Sequence, residues 1–265
     1  MRTARVESGG VTLSCRHGGV GDGLVVLLHG LAGSAGELAP TAQALVADHR
    51  VIAFDQRGHG DSTRRPSDVS REAYVADVLA VLDALGGADV AHVTLVGQSM
   101  GAHTALLTAA WHPDRVKRLV LLEGGVGGGA DRDYPQRLGT WFASWPVPFP
   151  DAETAVTFLG GTAIAAAWAR DLEKRPDGLW PRFDADIMAK AIGAVAARAR
   201  WLEWARITAR TTLVRGSRGT VPDNEVDRML AMRPDVDHVV IPDAGHDAHL
   251  DEPAAWLATL TELLR

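Results

Sequence analysis

A serine between two glycines, Gly97-Gln98-Ser99-Met100-Gly101, follows a short apolar run at 93–96 and opens a helical stretch. Strand, glycine-flanked serine and helix in that order suit a sharp turn that lifts a hydroxyl out of the core on a strained backbone. Glycines are required on both sides because side chains there would collide with neighbouring backbone. The helix that follows aims its free N–H groups at the same spot, where they favour developing negative charge. A serine hydroxyl is a poor nucleophile until a neutral imidazole accepts its proton, and the imidazolium needs a carboxylate to hold its orientation. Two backbone amides must then stabilise the oxyanion formed at an attacked carbonyl, each worth about 3 to 4 kcal/mol in the transition state.

The elements that must position such a set are visible as β-branched apolar runs at 11–15, 24–28, 51–54, 93–96, 118–122, 211–215 and 237–241. Stretches long enough for crossover helices, such as 71–85 and 101–111, separate the later runs. The expected fold class is therefore α/β, a mostly parallel central sheet with helices on both faces. The first two runs are expected to pair as an antiparallel edge. A last helix over 253–264 has Asp251 as its expected N-cap and Pro253 in its first turn. From Gly124 to about Ile207 no strand is expected. That stretch reads as an inserted helical cap over 124–206, leaving 1–123 and 207–265 as the core. It carries six of the eight tryptophans and four of the five phenylalanines. Trp141, Trp145, Trp168 and Trp204 are the expected substrate-facing rings, unless they only hold the cap together.

Composition narrows the class further. The chain has 265 residues, 46% hydrophobic and 23% charged, which suits one principal domain with an insertion. A net charge of -6 without a basic run argues against a nucleic-acid partner. Neither a signal-like opening nor an eighteen-residue apolar run is visible, so the expectation is a cytoplasmic protein with no membrane partner. Cys15, the single cysteine, reads as a half-buried strand residue. Gly125-Val126-Gly127-Gly128-Gly129-Ala130 mimics a nucleotide-binding loop, but Pro135 and scattered charges follow it instead of an amphipathic helix. Asp243, His246, Asp247 and His249 lack metal-ligand spacing. No cofactor and no metal is expected, and His249 and Asp251 are expected to cap or brace the last helix.

Four blocks together resemble the α/β-hydrolase superfamily across nearly the whole chain: the serine turn, Leu24-Val25-Val26-Leu27-Leu28-His29-Gly30-Leu31, Asp55-Gln56-Arg57-Gly58-His59-Gly60-Asp61-Ser62, and Ala244-Gly245-His246. The resemblance implies Ser99 as nucleophile, His246 as its base, and an oxyanion hole made by the N–H groups of Leu31 and Met100. It gives His59 a structural role. The commonest family pattern places an aspartate shortly after the strand that corresponds to 211–215. This chain has Gly216-Ser217-Arg218-Gly219-Thr220-Val221-Pro222 there, and neither glycine nor arginine can orient an imidazolium. Glu123, at the end of the preceding strand, is the best substitute, because some family members take their acid from that position. Asp223 is the alternative, and a triad without an acid stays open.

The implied activity is cofactor-free hydrolysis of an ester, lactone or thioester of a mostly apolar small molecule through an acyl-enzyme on Ser99. Epoxide hydrolases and dehalogenases of the superfamily use aspartate at the nucleophile position, so those activities are disfavoured. Carbon-carbon bond hydrolases, lyases and small-molecule receptors of similar sequence share the constellation and stay open, as does a scaffold without chemistry. A homodimer is compatible with this reading.

Overall fold

The run Leu24–Leu28 is buried along its whole length, as a strand covered on both faces of a parallel sheet must be. In the computed structural model, which describes residues 1–87, 93–129 and 131–265, it is the third of ten strands. The order is β1 (Arg2–Ser8), β2 (Val11–Gly18), β3 (Leu24–Leu28), α1 (Ala39–Leu45), β4 (Arg50–Phe54), α2 (Arg71–Leu85), β5 (Val93–Gln98), α3 (Met100–Trp111) and β6 (Val116–Leu122). The segment that follows holds α4 (Tyr134–Ala143), α5 (Ala152–Phe158), α6 (Ala163–Asp171), β7 (Glu173–Arg175), β8 (Gly178–Trp180), α7 (Ala185–Ala196) and α8 (Trp201–Arg206). The chain then closes with β9 (Arg210–Gly216), α9 (Asp223–Met232), β10 (Asp237–Ile241), α10 (Ala248–Asp251) and α11 (Pro253–Leu264).

Eight strands form one sheet in the order β1-β2-β4-β3-β5-β6-β9-β10. The pairs β1/β2 and β2/β4 are antiparallel, and the rest are parallel. Because side chains alternate across a strand, Val26 and Leu28 join one apolar layer with Val78 and Leu106. Val25 and Leu27 join the other, with Leu45, Trp256 and Leu260. The two layers place helices on both faces of a mostly parallel α/β sheet.

Several local expectations need correction. The antiparallel edge exists, but β2 pairs with β1 and β4 and not with β3. β1 escapes a periodicity reading because only Val6 and Ser8 along it are buried. Cys15 is fully buried, not half-buried, and burial with the nearby charge of Asp55 pushes its thiol up to about 12. The N-cap of α11 is Glu252. The Asp251 carboxylate instead accepts from the Gly245 N–H at 2.9 Å, and His249 bonds Glu37 at 2.9 Å.

The segment expected to lack strands contains the short hairpin β7/β8, whose Glu-Lys-Arg strand carries no apolar signal. Its own apolar cluster, centred on Phe142, Trp145, Phe149 and Phe183, also takes in Ala32 from the loop after β3. Arg64 and Arg65 bond Asp184 across to the core, and Arg182 bonds Asp61. α8 is different: Trp204 is fully buried within the sheet's apolar layer and donates to the Met229 carbonyl at 2.9 Å. α8 thus packs with the sheet's layer and not with the Phe142 cluster. Ala130, the last residue of the nucleotide-loop mimic, lies outside the described residues.

Candidate active site

Ser99 joins β5 to α3 at φ 52° and ψ -117°. A non-glycine residue at positive φ is uncommon and strained, and strain of this kind gathers at functional sites. Among the described residues, the others at positive φ are Ala32, Glu123 and Asp243. Each lies within three residues of a position that the sequence assigned to chemistry. The flanking glycines are sterically required. A first side-chain carbon on Gly97 would sit 2.4 Å from the Gly101 carbonyl oxygen, and one on Gly101 would sit 2.3 Å from that of Leu28. The Ser99 N–H donates to the Leu122 carbonyl at 3.0 Å, and the Glu123 N–H to that of Val214 at 2.9 Å. Adjacent strand ends thus carry the hydroxyl and the carboxylate side by side.

Glu123 is 2% exposed. Its Oε1 accepts from the Gly216 N–H at 2.9 Å and its Oε2 from the Thr220 N–H at 2.8 Å. Oε2 also lies 3.4 Å from Nδ1 of His246. Burial alone would raise this carboxyl, but the bonds from His246, Thr220 and Gly216 outweigh it and hold the carboxyl below the usual range. For His246 burial works against protonation, yet the bond to Glu123 and the charges of Asp247, Glu123 and Glu37 leave its pKa above the ordinary imidazole value. For both groups burial is the largest single influence, and hydrogen bonds to the charged form together with neighbouring charges overcome it.

Asp223, the alternative acid, is directed elsewhere: it is 87% exposed and paired with Arg215 at 2.8 Å. Sequence reasoning missed Thr220, whose Oγ1 lies 2.7 Å from Nδ1 of His246. It sits in the 216–222 stretch, which attracts notice only for lacking an acid, and nothing in its sequence neighbours marks it.

The histidine loop is tied to the serine turn by the Gln98 amide, which donates to the His246 carbonyl and to Asp247 Oδ1, both at 3.2 Å. Met100 is the first residue of α3, where helical geometry leaves an N–H without an internal partner. Leu31 follows Gly30, whose missing side chain would come 3.4 Å from Ser99 Cβ. The Asp55–Ser62 block braces these loops. Asp55 accepts from the N–H groups of Ala35 and Asp61, and Arg57 grips Asp77 with two bonds of 2.7 and 2.6 Å. His59 is buried 5.0 Å from His29 in a T-shaped pair. Burial, with His29 as the next cause, pulls His59 down to about 3, so it is neutral.

Ser99, Glu123 and Thr220 border one cavity of ≈ 190 Å³. Its walls, among the described residues, include Ile192, Val195 and Val221 but none of the four tryptophans assigned to substrate. Trp145 and Trp168 belong to the inserted segment's own cluster, Trp141 packs against both and is 40% exposed, and Trp204 lies in the core. His103 and Glu225 line the cavity instead. The sequence reading singled out neither: His103 sits four residues beyond Ser99 in a helix whose neighbours are apolar, and Glu225 looks like an ordinary first-turn acid.

A family model described as alpha/beta hydrolase fold matches residues 23–253. The chain is 28% identical over 256 residues to a mouse (Mus musculus) sn-1-specific diacylglycerol lipase, covering 91% of this chain and 80% of that protein. It is 29% identical to esterase YbfF of Escherichia coli (strain K12), covering 91% and 92% of the two chains. It is 26% identical to a 2-(acetamidomethylene)succinate hydrolase of Mesorhizobium japonicum, covering 98% and 94%. A crystal structure of E-2-(acetamidomethylene)succinate hydrolase superposes with a TM-score of 0.87 at 24% identity, covering 99% of this chain and 98% of that one.

Proposed function

The chain belongs to the α/β-hydrolase fold family, and from that premise we propose that it hydrolyses an ester, lactone or thioester of a small molecule through an acyl-enzyme on Ser99. The family assignment and the three relatives named as lipase, esterase and hydrolase support hydrolase chemistry at the coarser level. The observation that carries the finer reading is the buried Glu123 carboxylate beside Nδ1 of His246, on the strand end next to a strained Ser99.

In this reading Nδ1 carries the proton and faces Glu123 and Thr220, which leaves Nε2 free to accept the Ser99 hydroxyl proton. The Ser99 oxygen adds to the substrate carbonyl. The N–H groups of Leu31 and Met100 stabilise the oxyanion. His246 returns the proton to the departing alcohol or thiol as the tetrahedral species collapses to the acyl-serine. A water molecule then gives its proton to His246 and adds to the acyl carbonyl, and the acid leaves as the Ser99 hydroxyl is restored. Glu123 holds the imidazole in the working tautomer and stabilises the imidazolium in both halves. No step calls for a metal or an organic cofactor.

The test is a fluorophosphonate adduct mapped by peptide mass, followed by turnover of a panel of esters, lactones and thioesters. The expected result is one adduct, on Ser99, and multiple turnovers with at least one panel class. An adduct on any other residue, or no adduct with intact folded protein, overturns the assignment.

A further inference from the structure

The cavity beside Ser99 is not lined as an apolar acyl slot would be. His103 is 2% exposed, borders the cavity, and has no hydrogen-bond partner for either ring nitrogen. Buried polar atoms are normally satisfied, and an orphan costs its full desolvation penalty. A buried histidine in a cavity wall with two unmet nitrogens is a polar group left for a ligand to satisfy.

Glu225 borders the same cavity, and the two are joined by one strap of backbone. The Val126 N–H donates to Glu225 Oε1 at 2.9 Å. The glycines on either side leave room for both groups: a side-chain carbon on Gly125 would sit 2.1 Å from Glu225 Oε1, and one on Gly127 would sit 2.7 Å from His103 Nε2.

We propose that this cavity selects a short acyl group ending in a neutral hydrogen-bonding group, an amide or a hydroxyl, held between His103 and Glu225. This rests on Ser99 being the nucleophile. A neutral imidazole offers one donor and one acceptor, and a carboxyl oxygen offers a further acceptor, which together match an amide that both donates and accepts. Burial, followed by the charges of Arg71 and Arg200, holds the ring well below the usual imidazole range against a weaker pull from the Val126 backbone. The ring is therefore neutral.

A charged terminus is disfavoured in either sign. Glu123 and Glu225 both line the cavity and oppose an anion. Behind His103 stands the fully buried Arg71, whose Nε and Nη1 have no partner, and it opposes a cation. Ile192, Val195 and Val221 supply apolar wall for the intervening methylenes. At ≈ 190 Å³ the cavity suits a short chain.

Four ethyl esters of matched length test this by pH-stat: pentanoate, 4-carbamoylbutanoate, 4-carboxybutanoate (the monoethyl diacid) and 5-aminopentanoate. The expected result is a kcat/KM for the carbamoyl ester at least about tenfold above each of the others, since a site with unpaired buried polar groups rejects analogues that leave them unpaired. In His103→Leu that advantage, read as the ratio of kcat/KM for the carbamoyl ester to that for the pentanoate within the variant, falls to about twofold or less. In Glu225→Gln, which keeps the acceptor for Val126, the advantage shrinks partly. Equal rates for all four esters, a faster charged-ended ester, or an advantage unchanged in His103→Leu overturns the inference and leaves the hydrolase reading standing. Absence of hydrolysis with every ester counts against the hydrolase reading instead. Calorimetric binding to Ser99→Ala then decides the present one, which fails if the carbamoyl ester binds no tighter than the pentanoate.

Discussion

The Thr220 hydroxyl lies nearer to Nδ1 of His246 than the Glu123 carboxylate does, 2.7 Å against 3.4 Å. The same threonine's N–H is bonded to that carboxylate at 2.8 Å. One residue thus fixes the Glu123 carboxylate from its backbone and meets the His246 ring with its side chain. Charge still favours Glu123 as the group that stabilises an imidazolium, because a hydroxyl supplies only a dipole.

Replacing the acid should separate these two roles. Glu123→Gln is expected to lower kcat by about 10³ to 10⁴, because an amide does not enforce the working tautomer. Thr220→Val should cost about tenfold or less, and Asp223→Asn should leave kcat within about twofold, since its partner is Arg215 at the surface. Steady-state kinetics on the three variants checks this. A collapse in Thr220→Val with activity retained in Glu123→Gln would move the assignment to the hydroxyl.

The pH profile should carry the signature of the pair. The base must be neutral, and Glu123 and Asp247 outweigh burial to raise His246 above 6.5, so kcat/KM should rise with pH through a midpoint above 6.5. In Glu123→Gln the residual activity should show that midpoint displaced downward. Stability follows the same linkage. The raised His246 contributes fully below its unfolded value of 6.5 and less as pH climbs through its folded value. The lowered Glu123 contributes fully above 4.5 and less as pH falls through its folded value. The difference in melting temperature between wild type and Glu123→Gln should therefore be largest between those two pH values.

Gly219 gives a way to disturb the acid without touching it. A side-chain carbon there would sit 1.9 Å from Glu123 Oε1, so Gly219→Ala must push the carboxylate or the loop out of place. The expected loss in kcat is about 10² or more. Activity close to wild type would mean that the loop yields at no cost to the His246 contact.

Among buried groups, opposite stability effects are expected at two sites. His103→Leu removes an orphaned buried polar ring and should raise Tm by a few degrees, about 2 to 4 °C per kcal/mol for a chain of this size. Asp77→Ala strands the guanidinium of Arg57, 2% exposed against 1% for its partner, and should cost about 3 to 5 kcal/mol. Calorimetric melts of the two variants check both signs.

What the sequence discloses follows from how much chemistry is local. The strands at 24–28 and 237–241 and the helices at 71–85 and 253–264 fall where the sequence places them, because β-branched runs and helical stretches are local signals. The serine turn is equally legible, since its glycines answer a clash within five residues. Glu123 is legible as a carboxylate ending an apolar strand. Thr220 and Glu225 are not, because each acquires meaning only from a partner in space: Nδ1 of His246 across 26 residues for the first, the Val126 backbone across 99 for the second. The tryptophans mislead for a related reason. Aromatic density announces burial, and Trp204 is buried, but composition does not say whether rings face a ligand or one another.

Because Glu123 directly follows β6, the proposed acid and the segment that leaves the sheet share a root. Anyone exchanging the 124–206 segment between relatives to alter selectivity would be splicing one peptide bond from the carboxylate. A junction placed downstream of Gly127 keeps Val126 as Glu225's donor and leaves Glu123 on its native backbone. A graft cut at Gly124 would import a foreign turn directly beside Glu123, and on the proposed mechanism chimaeras of the two designs should differ in rate before they differ in preference.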